Sequence, residues 1–185
     1  MCRVTDDEQD HPANRRIDRI RDPAFAQDLE ALDLDELRAR RDECLAEREY
    51  LSLLRRLVQG RAEILQAELE GRGTDDADRA SLIERLSTIL AGDEQHAVSR
   101  GEAVRVGLPE DEMLQARRRV ERLVSDAGIS DPTELDDERL AAAVQVLADE
   151  EHQVSAARAE VIGILDTLQD ELKRRYKEDP TLVLR

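Results

Sequence analysis

Residues 32–73, LDLDELRARRDECLAEREYLSLLRRLVQGRAEILQAELEGRG, read as a single long helix. Asp33 stands where an N-cap belongs, with Leu32 before it and Glu36 at the capping-box position, so the first free backbone N–H groups have acceptors at hand. No proline follows, and Gly71 and Gly73 supply the residues that most easily end a helix. The predicted helix, about 34–70, is roughly 55 Å long at 1.5 Å per residue. Leu37, Cys44, Leu51, Val58 and Leu65 recur every seven residues along it, the spacing of a seam facing another helix.

A second stretch repeats the first. Shifted by 103 positions, Leu32, Asp33, Leu37, Glu47, Ser52, Arg55, Val58, Gly60, Leu65, Gln66, Glu68, Leu69 and Arg72 meet identical residues from Leu135 to Arg175 without a gap. Leu, Glu and Arg matches are common between helices of this composition, but the Asp, Ser, Gly and Gln matches in one register are more specific. The second long helix, about 137–177, starts after Asp136 and carries the equivalent seam Leu140, Leu147, Val154, Val161 and Leu168. Two shorter helices are expected between them, about 77–91 and 110–127, the latter opened by Pro109 and stopped at Gly128. Residues 1–30 are polar, carry both charge signs and include Pro12 and Pro23, and read as a flexible arm; 179–185 read as a tail. The expectation is an all-α protein: an antiparallel coiled coil of two long helices within residues 31–178, joined by two shorter connecting helices. The connector between the long helices is long enough for them to pair within one chain, so a monomer suffices.

Composition fits thin helical packing and excludes several functions. Charged residues are 39% and aromatics 2%, too few large rings for a thick interior but enough leucine and alanine for one apolar stripe per helix. A net charge of −16 repels nucleic acid and anionic membranes and favours a basic protein partner. Two cysteines, Cys2 and Cys44, make neither a disulfide framework nor a zinc site, so a reducing, cytoplasmic setting is expected. The first residues lack the apolar stretch of a signal peptide, so no secretory leader is expected, and the sequence has no apolar run of membrane length. Asp93 with His96, and Asp149 with His152, share a D-x2-H spacing, but the first pair follows the stop at Gly92 and aspartate is short for a bridging ligand, so neither a metal centre nor catalysis is expected. His11 lies in the arm.

Beside the seam, Ser52, Arg55, Gln59 and Glu63 follow spacings of three, four and four, which keeps them on one sector of the first helix. Ser155, Arg158, Ile162 and Asp166 hold that sector on the second. The two ladders offer hydroxyl, guanidinium and carboxylate groups. A guanidinium stacks on a purine or grips phosphate as a fork, and a carboxylate accepts from guanine N1 and N2 hydrogens. Arg55, Arg56 and Arg61 make the surroundings locally basic, and Gly60 and Gly163 sit mid-ladder, where close approach of a ligand or a backbone would offset their cost of about 1 kcal/mol each. The plain alternative is a solvated helix face, which shows the same spacings.

These residues resemble the RsiG family, whose ligand motif E-x3-S-x2-R-x3-Q-x3-D occurs on two helices of an antiparallel coiled coil. The copies here are Arg48, Ser52, Arg55, Gln59, Glu63 and Glu151, Ser155, Arg158, Ile162, Asp166. Ser52 to Arg61 and Leu168 to Tyr176 are also family-like, and the resemblance spans about half the chain. It implies an anti-sigma factor, not an enzyme, that binds cyclic di-GMP on these residues and forms a heterodimer with a WhiG-like sporulation sigma factor. Arg48 stands where the motif has Glu, Ile162 removes an amide and Glu63 lengthens the acid. The competing function is a coiled-coil scaffold or anti-sigma protein that needs no nucleotide. Leu53, Leu57 and Ile64 form a second apolar stripe whose counterparts, Ala156, Glu160 and Thr167, are small or polar; either the middle helices or a sigma factor would cover it.

Overall fold

The computed structural model describes residues 12–72, 107–126, 128 and 132–184. Among them the protein is all-α: α1 is Pro12–Arg21, α2 Leu34–Gly71, α3 Glu110–Asp126 and α4 Asp137–Glu178. Single 3-10 turns lie at Pro23–Ala26, Leu29–Ala31, Pro132–Glu134 and Pro180–Leu184. The helix expected at 77–91 lies outside the described residues.

The two long helices start as their sequences require. Asp33 Oδ1 accepts the backbone N–H of Glu36 at 2.8 Å, and Asp136 Oδ1 accepts that of Arg139 at 2.8 Å. Each cap satisfies an amide that the helix cannot, worth about 1 kcal/mol. The third helix ends where Gly128, at φ +69°, donates to Ser125 O; this left-handed conformation costs glycine nothing and an L side chain about 1 kcal/mol.

The chain forms two compact units, residues 1–51 with 156–185 and residues 52–155, and both long helices pass through both. In the first unit the start of α2 lies beside the end of α4, because Arg175 donates to the carbonyls of Leu32 (2.8 Å) and Leu29 (2.6 Å) and Arg38 Nε to the Tyr176 hydroxyl (3.1 Å). In the second unit the end of α2 lies beside the start of α4: Arg72 donates to the carbonyls of Leu135 and, at 2.7 Å, Pro132. In each unit, therefore, the helices run antiparallel. Both seams are buried throughout, at 0–4% exposure from Leu37 to Leu65 and from Leu140 to Leu168. At 1.5–3 kcal/mol for burying a leucine- or valine-sized side chain, these ten positions supply the main attraction between the helices.

The expectation of a flexible arm through residue 30 needs correcting. Residues 12–31 fold into α1 and two 3-10 turns, with Ile20, Phe25 and Leu29 buried. The physical reason lies in the seam itself. Three residues after each heptad position comes the second inward-facing position, and on α2 it carries Glu47, which is 1% exposed. A carboxylate cannot remain there ionised without a cation. Arg16 of α1 supplies one, its Nε 2.6 Å from Glu47 Oε2, and Arg19 pairs with Glu43 on the same face. Pro12 at the first helical position and Arg19 and Arg21 in the last turn suit the helix dipole.

The same arrangement recurs in the second unit, where Arg119 of α3 binds Glu150 of α4 at 2.9 Å. Arg16 and Arg119 are themselves 103 positions apart, as are Glu47 and Glu150. The repeat thus includes the short helices, and Arg15-Arg-Ile-Asp-Arg-Ile20 corresponds to Arg118-Arg-Val-Glu-Arg-Leu123. The two units are built alike: a short basic helix, the first half of its own long helix and the second half of the other.

Candidate functional site

Four of the motif residues meet in the second unit. Arg55 Nε donates to Glu151 Oε1 at 2.7 Å, Ser155 Oγ donates to the same oxygen at 2.8 Å, and Gln59 Nε2 reaches it at 3.4 Å. Helix spacing explains the convergence. Arg55 and Gln59 are four apart on α2, Glu151 and Ser155 four apart on α4, and each pair therefore lies one turn apart on one helix face. The buried neighbours Val58 and Val154 hold the two faces together.

The carboxyl of Glu151 is held below its usual range, first by the Arg55 hydrogen bond, then by that of Ser155, against the opposing effect of partial burial. Ionised, it is an acceptor only. With side chains 40% and 24% exposed, the Arg55–Glu151 pair is reachable from solvent and is worth at most about 1 kcal/mol, so an incoming group can replace either partner.

The other expected site residues are placed as follows. Ser52 is half-buried in the second unit, and Glu63 is exposed and outside the Glu151 cluster. In the first unit Arg48 donates to its neighbour Glu49 at 2.8 Å, Arg158 and Ile162 are half-buried, and Asp166 is exposed. A Cβ built on Gly60 or Gly163 meets no atom of the described residues within 4 Å. Among the described residues, then, no close backbone approach calls for glycine at either position.

Leu53, Leu57 and Ile64 are half-buried. Beside them Leu54 is fully buried, at 0%, and occupies the second seam position one heptad after Glu47. Asp149 and His152 are both exposed, while Asp93 and His96 lie outside the described residues. No helix among the described residues is long and apolar enough to cross a membrane.

Sequence reasoning missed the Arg16–Glu47 and Arg119–Glu150 pairs, which fix the short helices against the long ones. The signal was present in the shared offset of Arg15–Ile20 and Arg118–Leu123.

No curated protein matches the chain. A family model described as RsiG-like matches residues 23–90, a span that contains all of α2, and with it Ser52, Arg55, Gln59 and Glu63, but none of α4. Over that span, rather more than a third of the chain, the protein is similar to the RsiG-like family.

Proposed function

We propose that this chain is an anti-sigma factor that sequesters a WhiG-like sporulation sigma factor and binds cyclic di-GMP on the polar ladders of α2 and α4. The observation that carries the reading is the convergence of Arg55, Gln59 and Ser155 on one oxygen of Glu151. An ionised carboxylate kept acceptor-only complements guanine, whose N1–H and N2–H2 both donate. It opposes adenine, whose N1 accepts. When guanine takes the carboxylate, Arg55 is released to grip a phosphate or stack on the base. The chain's net charge of −16 favours a partner with basic surfaces, as a protein that contacts promoter DNA must have.

Calorimetric titration with cyclic di-GMP and cyclic di-AMP, with and without a WhiG-like sigma factor, tests the proposal. Cyclic di-GMP is expected to bind more tightly than cyclic di-AMP, and Glu151→Gln to remove most of that preference, since an amide offers a donor as well as an acceptor. The alternative, a scaffold or anti-sigma protein independent of nucleotide, takes the Arg55–Glu151 pair as a purely structural rung. Sigma capture with no heat from cyclic di-GMP under either condition establishes that alternative.

A further inference from the structure

Every large apolar side chain that stands exposed among the described residues lies in the second unit: Met113 and Leu114 on α3 and Val146 on α4, at 36%, 45% and 40%. The same unit departs from the repeat at one charged rung. In the first unit Arg16 pairs with Glu47 and Arg19 with Glu43. The 103-position offset turns the first pair into Arg119–Glu150, which forms at 2.9 Å, and the second into Arg122 and Val146, which cannot pair. Both sides of the lost rung stay within one turn of the bond that forms. Arg122 follows Arg119 by three and Val146 precedes Glu150 by four, on helices that make a hairpin across Gly128 and the turn Pro132–Glu134.

From Arg122 a line runs back along α3 through Arg118 to Leu114 at spacings of four, with Asp111 a turn beyond its far end. Arg117 and Glu121 flank the line and offset each other, so the line itself carries the net positive charge. Arg117, Arg118 and Arg122 are exposed, and none makes a hydrogen bond or ion pair among the described residues. In a chain with 44 acidic against 28 basic side chains a guanidinium finds carboxylates readily; Arg174 alone holds two.

We infer that Leu114, Arg118 and Arg122, closed by Val146, form a docking face for an acidic amphipathic helix of a second protein partner, separate from the basic partner proposed above. Carboxylates four apart on such a helix meet the two guanidinium groups as forks, and its leucines bury against the apolar side chains at either end. Those apolar ends offer nothing to phosphate. A long polyanion also meets the field of the whole chain, at −16, whereas a short acidic helix responds mainly to charges within about 10 Å.

The test titrates the full chain at low salt with a labelled helical peptide as long as α3, 17 residues, bearing glutamate on one face and leucine on the adjoining one. Wild type is expected to bind it, and Arg118→Glu with Arg122→Glu to bind about tenfold more weakly or worse. Leu114→Ser with Val146→Ser should weaken it by a smaller factor. Melting temperatures without peptide should match wild type, because the replaced groups are exposed and unpaired. The inference is overturned if wild type does not bind, or if the charge reversal leaves binding unchanged. It is overturned equally by three results that assign the face to another occupant. A fall in melting temperature on charge reversal gives it to an acidic segment of this chain, and loss of a concentration-dependent oligomer gives it to a second copy. Tighter binding of oligodeoxythymidylate than of the peptide gives it to nucleic acid. Capture of a WhiG-like sigma factor is expected to survive the reversal; its loss would put the face in the sigma interface and remove the separate partner.

Discussion

Arg16→Ala should be far more damaging than Arg119→Ala, although the two arginines hold equivalent positions. Glu47 is 1% exposed and its partner Arg16 16%, whereas Glu150 is 15% and Arg119 40% exposed. Removing Arg16 takes a cation from a carboxylate that is almost wholly buried, a defect of up to about 3–5 kcal/mol, while removing Arg119 breaks a half-solvated pair worth about 1 kcal/mol or less. For a chain of this size each kcal/mol lowers the melting temperature by about 2–4 °C, so Arg16→Ala should fall by roughly 10 °C and Arg119→Ala by only a few degrees. Urea and thermal unfolding followed by circular dichroism at 222 nm give both numbers. The double variant Arg16→Met with Glu47→Leu should recover most of the loss, because a packed apolar pair has no charge to desolvate. Equal and small losses for the two single variants would refute the reasoning, since burial would then not govern the pairs and α1 would not be docked as described.

Leu147→Ala should cost about 2–5 kcal/mol and Val146→Ala less than about 0.5, since the adjacent side chains are 0% and 40% exposed; urea midpoints decide it. Glu171 is held at about 2, chiefly by its hydrogen bond from Arg174, and Glu151 is lowered by Arg55. Both carboxylates have folded values below their unfolded ones. The stability they contribute is therefore present above about pH 4.3 and lost as pH falls through the folded values, which melts at pH 7, 4 and 2 should show as a progressive drop.

Much of this architecture was legible because a seven-residue period has one physical cause. Every seam position from Leu37 to Leu168 is buried, and both Asp caps form where the pattern puts them. The convergence of Arg55, Gln59, Ser155 and Glu151 follows from the same periodicity once the register between the helices is known. What sequence polarity concealed was the second inward-facing position. Glu47 looks like any solvated acid in a charged helix, and α1 looks like a disordered basic arm; only together do they make sense, each supplying what the other lacks. Leu54 was likewise hidden, because its counterpart in the repeat is Ala157, and large opposite small breaks the apparent equivalence that the heptad leucines keep.

The arginine clasps at the ends of the long helices bear on how this protein acquires its structure. Helical proteins ordinarily mature fast because their contacts are local, yet Arg175 grips Leu32 across 143 positions and Arg21 meets Glu160 across 139. While the chain emerges from a ribosome at about 5–20 residues per second, the start of α2 waits on the order of ten seconds for the segment that completes its seam. Over that interval an apolar stripe stands open to water. Speed of synthesis, rather than helix propensity, then sets how long the newborn chain is exposed to mispairing.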